Sequence, residues 1–257
     1  MVVPATLAAR PSFAVKPAAQ RAVQPALWVL SDHDTTIYLF GTFHALDDRT
    51  DWFGRDVRAA FEGSDQLMLE TLVPTDPIDL TNALARHSLI APLVVGQPVV
   101  SGAAAPARIM AAGRIAGMTV ERGADMMLRQ YASANGKPVG ELESFDFQLA
   151  MLTGLPAAER IAGPQPDPRH MLLALRTAWR AGDSASFAAM LTTLEAQSPT
   201  AYQRLFVDRN NHWASWIARR MQQPGTVFVA VGTGHLIGRH SVQQQLSLRG
   251  YRATRIN

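Results

Sequence analysis

The sequence predicts an α/β fold: a central, mixed but largely parallel β-sheet flanked by helices, with a large helical insertion between an N-terminal and a C-terminal βα unit. Three observations predict it. IYLFG (37–41) and TVFVAVG (226–232) are uninterrupted apolar runs, the pattern of strands buried on both faces. Each run ends in glycine and is followed by a stretch of helical periodicity. Between them, residues 79–223 read mostly as helix.

Taken in order, residues 1–26 are rich in Pro and Ala and are expected to be disordered or the remnant of an export signal. As written they lack a basic stretch ahead of an apolar core. Residues 27–257 are expected to form one α/β domain. LWVLSDHDTTIYLFG (27–41) places two apolar runs around Asp32, His33 and Asp34, which predicts a hairpin. Trp52, Val57, Ala60 and Phe61 then recur near helical spacing up to Glu62, and Gly63 is placed to end that helix.

QLMLETL (66–72) is a short strand interrupted by the carboxylate of Glu70. Strand, helix and strand within about 35 residues predict a right-handed βαβ unit with parallel strands. Within the helical insertion, KPVGELES (137–144) predicts a short strand near 138–142, with Glu141 and Glu143 at its carboxyl end. A helix (FDFQLAMLTGL) follows it. Helices are also expected over 171–182, over 184–197 and from Tyr202 to Gln222. After the strand at 226–232, HSVQQQLSLRG reads as a helix closed by Gly250, and YRATRI as a last strand.

Composition excludes several functions. There are no cysteines, which removes disulfides, thiolate metal sites and cysteine nucleophiles together, so any metal must sit on His, Asp or Glu. The net charge of +3 comes almost wholly from arginines scattered among acidic residues, so no nucleic-acid surface is expected. No run of about 18 apolar residues exists, so no transmembrane segment is expected. The expected compartment is the periplasm or the exterior if a signal has been trimmed, and the cytoplasm otherwise.

The stretch GTGHLIG (232–238) fails as a dinucleotide loop. Gly232, Gly234 and Gly238 are spaced one residue too widely, and the chain ends before an acidic residue about 20 positions on. Its better comparison lies within the chain. IYLFGTFH and VFVAVGTGH share one plan, an apolar strand followed by Gly-Thr-x-His, which puts His44 and His235 just past the carboxyl ends of two strands. Ligands of open α/β sheets bind at that rim, where Glu70, Glu141 and Glu143 are also expected. The reading is a cluster of two imidazoles and two or three carboxylates. Arg209, in DRNNHW, sits on a helix that reaches over the sheet and is a candidate to hold a carboxylate or an oxyanion. The other histidines, His33, His87, His170, His212 and His240, read as solvated or packed, with His240 inside the final helix.

At these residues the sequence resembles the TraB/GumN family, which includes the animal Tiki proteases, from Leu27 to Ile256. The likeness rests on ALWVLSD, TIYLFGTFHALD, LMLET, ELESFDFQ, VDRNNHWASWI, FVAVGTGHLIG and LRGYRATRI, in that order. It implies a fold related to erythromycin esterase-like and haem-binding ChaN-like proteins. It also implies a metal-dependent hydrolase, a Tiki-like peptidase, with Mn²⁺ or Co²⁺ as the cofactor and Zn²⁺ as a further candidate. His44, Glu70 and His235 would be the metal and catalytic residues, Glu143 the second acidic position and Arg209 the helix arginine.

In that reading the ion lowers the pKa of a bound water, whichever of Glu70 and Glu143 is not a ligand serves as base, and Arg209 stabilises the oxyanion. No H-E-x-x-H pair is present, so the site would not be a helix-mounted zinc centre. Two alternatives stand beside it. One is a metal-free hydrolase in which His44 is the base and Glu70 orients it; the other is a module that binds haem or a small anion without turnover. The substrate, peptide or small molecule, is not legible.

Overall fold

The computed structural model describes residues 24–87, 111–155 and 167–257. Residues 1–23 of the Pro/Ala-rich segment, and residues 88–110 and 156–166 of the expected helical insertion, lie outside the described residues. The described residues form a six-stranded, mixed and mostly parallel sheet in an α/β fold. Its elements are β1 (Leu27–Ser31), β2 (Thr35–Thr42), α1 (Arg55–Glu62), β3 (Gln66–Leu69), α2 (Pro77–Arg86) and α3 (Ala124–Ala134). There follow β4 (Val139–Glu141), α4 (Phe145–Thr153), α5 (Pro168–Arg180), α6 (Ala185–Gln197), α7 (Pro199–Tyr202) and α8 (Asp208–Arg220). The C-terminal elements are β5 (Gly225–Gly232), α9 (Val242–Ser247) and β6 (Thr254–Arg255). Among the described residues, no helix is long and apolar enough to cross a membrane.

The strand order is β4-β3-β5-β2-β1-β6. β4, β3, β5 and β2 run parallel, while β1 is antiparallel to both of its neighbours. The hairpin forms as the sequence predicts, with Asp32 accepting the Thr35 N–H in its turn. β2 and β3 are parallel as expected but are not neighbours, because β5, some 160 residues further along the chain, enters between them. Its register sets Phe40, Ala230, Leu69 and Glu141 on one rung, so the four parallel strands end together at one rim.

Why these strands are apolar throughout is visible in the two cores. Phe40, Phe228, Leu67 and Leu69 pack on one face with α1, α3, α5 and α6. Ile37, Leu39, Val227, Val229 and Val231 pack on the other with Trp213 and Ile217 of α8 and Leu246 of α9. A strand covered on both sides has no polar face to keep.

Two local details differ from the sequence reading. His240 precedes the last helix, which Ser241 caps by accepting the Gln244 N–H, so its ring lies outside α9. The helix expected from Tyr202 to Gln222 is interrupted over Gln203–Val207 by a wider π turn that ends two residues before Arg209.

Candidate functional site

The two Gly-Thr-x-His segments interlock. Thr42 and Gly232 are register partners at the ends of β2 and β5. A methyl group on Gly41 would lie 2.8 Å from the Thr233 hydroxyl, and one on Gly232 would lie 3.0 Å from His44 Nε2. Each glycine therefore makes room for a side chain of the other segment. Gly232 has φ −51° and ψ 134°, ordinary for any residue, so its lack of a Cβ is what the site uses. The Thr233 hydroxyl completes the join by donating to the Thr42 carbonyl at 2.9 Å.

Four of the five residues singled out in the sequence form one buried cluster. Arg209 donates through Nε to Glu143 at 3.0 Å and through Nη2 to Glu143 at 2.6 Å and to Glu70. Its Nη1 donates to the Leu205 carbonyl at 3.0 Å and faces His235 Nε2 at 3.2 Å. A guanidinium has five N–H bonds, and all five are engaged. Arg209 therefore clamps two carboxylates and an imidazole and has no donor left for an oxyanion. Its cation also lies over the Trp213 ring at 4.7 Å.

Glu70 accepts further from Gln148 Nε2 at 2.9 Å and from the Gly232 N–H at 3.0 Å. Burial alone would raise its pKa, but the Arg209 guanidinium and the Gly232 N–H outweigh it and hold the carboxyl well below the usual carboxylate range. Glu143 is raised, by burial first and by the like charge of Glu70, against the pull of Arg209.

The two histidines are pushed in opposite directions. His235 is buried between Trp213 and Phe206, with ring centroids 4.5 and 4.9 Å away, and its Nδ1 meets Asn210 Oδ1 at 2.6 Å. An amide oxygen only accepts, so Nδ1 carries the proton and Nε2 presents a lone pair to Arg209. Burial and the Arg209 charge lower its pKa to about 3, which keeps the ring neutral. His44 sits across from it with a side chain 55% exposed. Its Nδ1 pairs with Asp125 Oδ1 at 3.1 Å, leaving Nε2 as its open nitrogen. Partial loss of water around the ring pulls its pKa down, but the Asp125 carboxylate and the charge of Glu70 outweigh this and raise it to about 9.

Asp125 reaches His44 because α3 begins on the His44 loop. The Ala124 N–H donates to the Phe43 carbonyl at 3.0 Å, and any Cβ on Gly123 would fall 2.2 Å from the His44 carbonyl oxygen. Sequence reasoning missed Asp125, Asn210 and Gln148. Asn210 and Gln148 lie inside stretches already noted for Arg209 and Glu143, whereas nothing local marks Asp125. Glu141 turns away from the cluster and accepts the Leu72 N–H at 2.8 Å, which holds the loop after β3.

His44, Glu70 and His235 converge on Gly232, since a methyl there would also stand 3.4 Å from Glu70 Oε2 and 3.5 Å from His235 Cδ2. They do not present a preformed metal triad. Among the described residues, the group of three that brings one ligand atom each within 4.8 Å is Asp32, His33 and Asp34, exposed in the hairpin turn. The His235 lone pair and one Glu70 oxygen already face the Arg209 cation.

Beside this cluster opens a cavity of about 530 Å³. His44, Thr42 and Gly232 to His235 form its polar end, and Phe43, Met118, Leu172, Leu175, Phe187 and Met190 form much of its wall. A model of the TraB/PrgY/gumN family matches residues 26–93 and 97–255. No curated protein and no solved structure matches the chain.

Proposed function

We propose, because the chain belongs to the TraB/PrgY/gumN family, that it is a hydrolase whose working base is His44. One observation carries the reading: His44 alone of the clustered residues is both solvent-exposed and held through Nδ1, by Asp125, with Nε2 left at the polar end of the cavity. Glu70, Glu143, Arg209 and His235 are buried and bonded to one another. They form the mount of the site.

In the step this arrangement supports, a water oxygen adds to an acyl carbon while its proton passes to His44 Nε2. The bond to the leaving group then breaks, and the same proton goes to the departing atom, releasing acid and alcohol or amine. Asp125 and Glu70 favour the imidazolium that forms in between, because both bring negative charge to the ring. Neutral His235 adds no competing positive charge.

A divalent cation, Mn²⁺ or Co²⁺ ahead of Zn²⁺, is the cofactor that the sequence resemblance suggests. Held by His44, Glu70 and His235, it would polarise an acyl oxygen and acidify water. The donor set does not fit such an ion as arranged, because its ligand atoms are spread and Arg209 already supplies the positive charge. No step is therefore routed through it.

The test is hydrolysis of p-nitrophenyl butyrate by chelator-treated protein. The reading expects His44→Ala to lower kcat/KM by about 10²–10⁴. It expects the wild-type rate to rise with pH through about 9, the point at which His44 becomes a base. Asp125→Asn should move that rise toward 6.5, the ordinary imidazole value. Unchanged activity in His44→Ala would end the proposal. A rate that appears only with manganese or cobalt, and vanishes in His235→Ala, would replace it with the metal-dependent reading.

A further inference from the structure

The cavity carries the argument to a substrate class. Its volume of about 530 Å³ lies in the range of small-molecule sites. Much of the wall is built of aliphatic, thioether and aromatic side chains from α5, α6, the loop after β2 and the segment before α3. Its other charged side chains, Arg114 and Glu121, are themselves exposed, so they belong to the solvent-facing mouth.

Part of the main chain of the described residues around the cavity is already paired. Leu46 and Thr119 exchange both of their hydrogen bonds, at 3.1 and 2.9 Å. The Phe43 carbonyl takes the Ala124 N–H, and the Thr42 carbonyl takes the Thr233 hydroxyl. Leu172, Leu175 and Met190 sit inside helices, whose backbone groups are satisfied internally, while Phe187 lies in the first turn of α6. An extended peptide brings N–H and C=O groups that need partners, whereas an alkyl chain brings none. Apart from Thr119 and the exposed Arg114 and Glu121, the polar side chains of the lining belong to Thr42, His44, Thr233 and His235.

We propose that this cavity binds the alkyl chain of an acyl ester or amide, with the acyl carbon at His44 Nε2. The assignment of the cleaved bond rests on the hydrolase reading; the assignment of the cavity's occupant does not. Each methylene that enters the cavity should raise kcat/KM by about fourfold until the space is filled.

The experiment has two arms, hydrolysis and binding. In the first, kcat/KM is measured for p-nitrophenyl acetate, butyrate, octanoate and decanoate, below their micelle concentrations, with wild type, Met190→Trp and Leu172→Trp. The proposal expects a steep rise from acetate to octanoate. It expects both tryptophan variants, which fill the cavity from different helices, to lower the octanoate-to-acetate ratio by tenfold or more. In the second arm, binding of decanamide and acetamide is followed by calorimetry with the same proteins.

Decanamide binding that is lost in folded Met190→Trp or Leu172→Trp supports the occupant even if no ester is cleaved, and in that case the hydrolase reading alone fails. Ester cleavage that ignores chain length, with no decanamide binding, overturns the occupant and leaves the hydrolase reading standing. Displacement of decanamide by an unacylated apolar peptide, with tighter binding of that peptide, would also overturn it. Should both variants fail to fold, as judged by circular dichroism, the wild-type chain-length series and the decanamide titration decide alone.

Discussion

Arg209 spends all of its donors inside the protein, and this sets its value. Taking a guanidinium and two carboxylates out of water is costly, so the cluster is not a source of stability in itself. Removing one partner is another matter. Arg209→Met strands Glu70 and Glu143 together in a buried site, which should cost about 3–5 kcal/mol in urea unfolding. Loss of less than about 1 kcal/mol would show that the carboxylates find protons or water instead. His44, Glu70, Glu143 and His235 were legible as residue types at one rim, because strands that end in polar residues advertise themselves, and Arg209 was legible as the arginine of a polar stretch in a helix. Their partners were not. Whether a guanidinium meets a carboxylate or faces a cavity depends on side-chain direction in three dimensions, and Asp125 is separated from His44 by 81 residues.

At the scale of elements, the repeated Gly-Thr-x-His is a joint between β2 and β5, in which each strand's glycine receives the other strand's side chain. Gly232→Ala leaves the backbone unstrained but presses a methyl against His44 Nε2, Glu70 and His235. The expected outcome is a fall in kcat of tenfold or more on p-nitrophenyl butyrate, with a melting temperature within a few degrees of wild type. Full activity would mean that the ring of His44 relocates freely. The hairpin, the end of α1 at Gly63 and the strand inside the helical insertion were readable because each is specified by neighbours in sequence. That β5 would enter between β2 and β3 was not readable, since three apolar strands of similar composition do not state their own order.

For the whole molecule, the two histidines make stability depend on pH with opposite signs. His235 has a folded pKa of about 3 against an ordinary 6.5, so its contribution is complete above 6.5 and is lost as pH falls from there toward 3. Glu70, also lowered, adds to that loss below about 4.5. His44, raised to about 9, contributes fully below 6.5, and its share disappears as pH rises through 9. Its half-exposed ring makes that alkaline limb the shallower one. Urea midpoints measured from pH 4 to pH 10 should therefore peak near neutrality. His44→Gln should flatten only the alkaline side and His235→Gln only the acid side. A single variant that flattens both would contradict the opposed assignment.

The π turn at Gln203–Val207 joins two halves of this molecule. Downstream of it, α8 is anchored on the sheet by Trp213 and Ile217 and carries the arginine. Upstream lies the α6–α7 arm, with Phe187 and Met190 in the cavity wall. An α-helix turns by about 100° per residue, so a chain one residue shorter at this joint would aim the arm elsewhere, and it would also disturb Leu205 and Phe206, which touch Arg209 and His235. The shape of the cavity and the setting of the charged cluster are thus coupled through one stretch of five residues. A lineage that changed the length of this joint would alter the cavity wall and the seating of the arginine together.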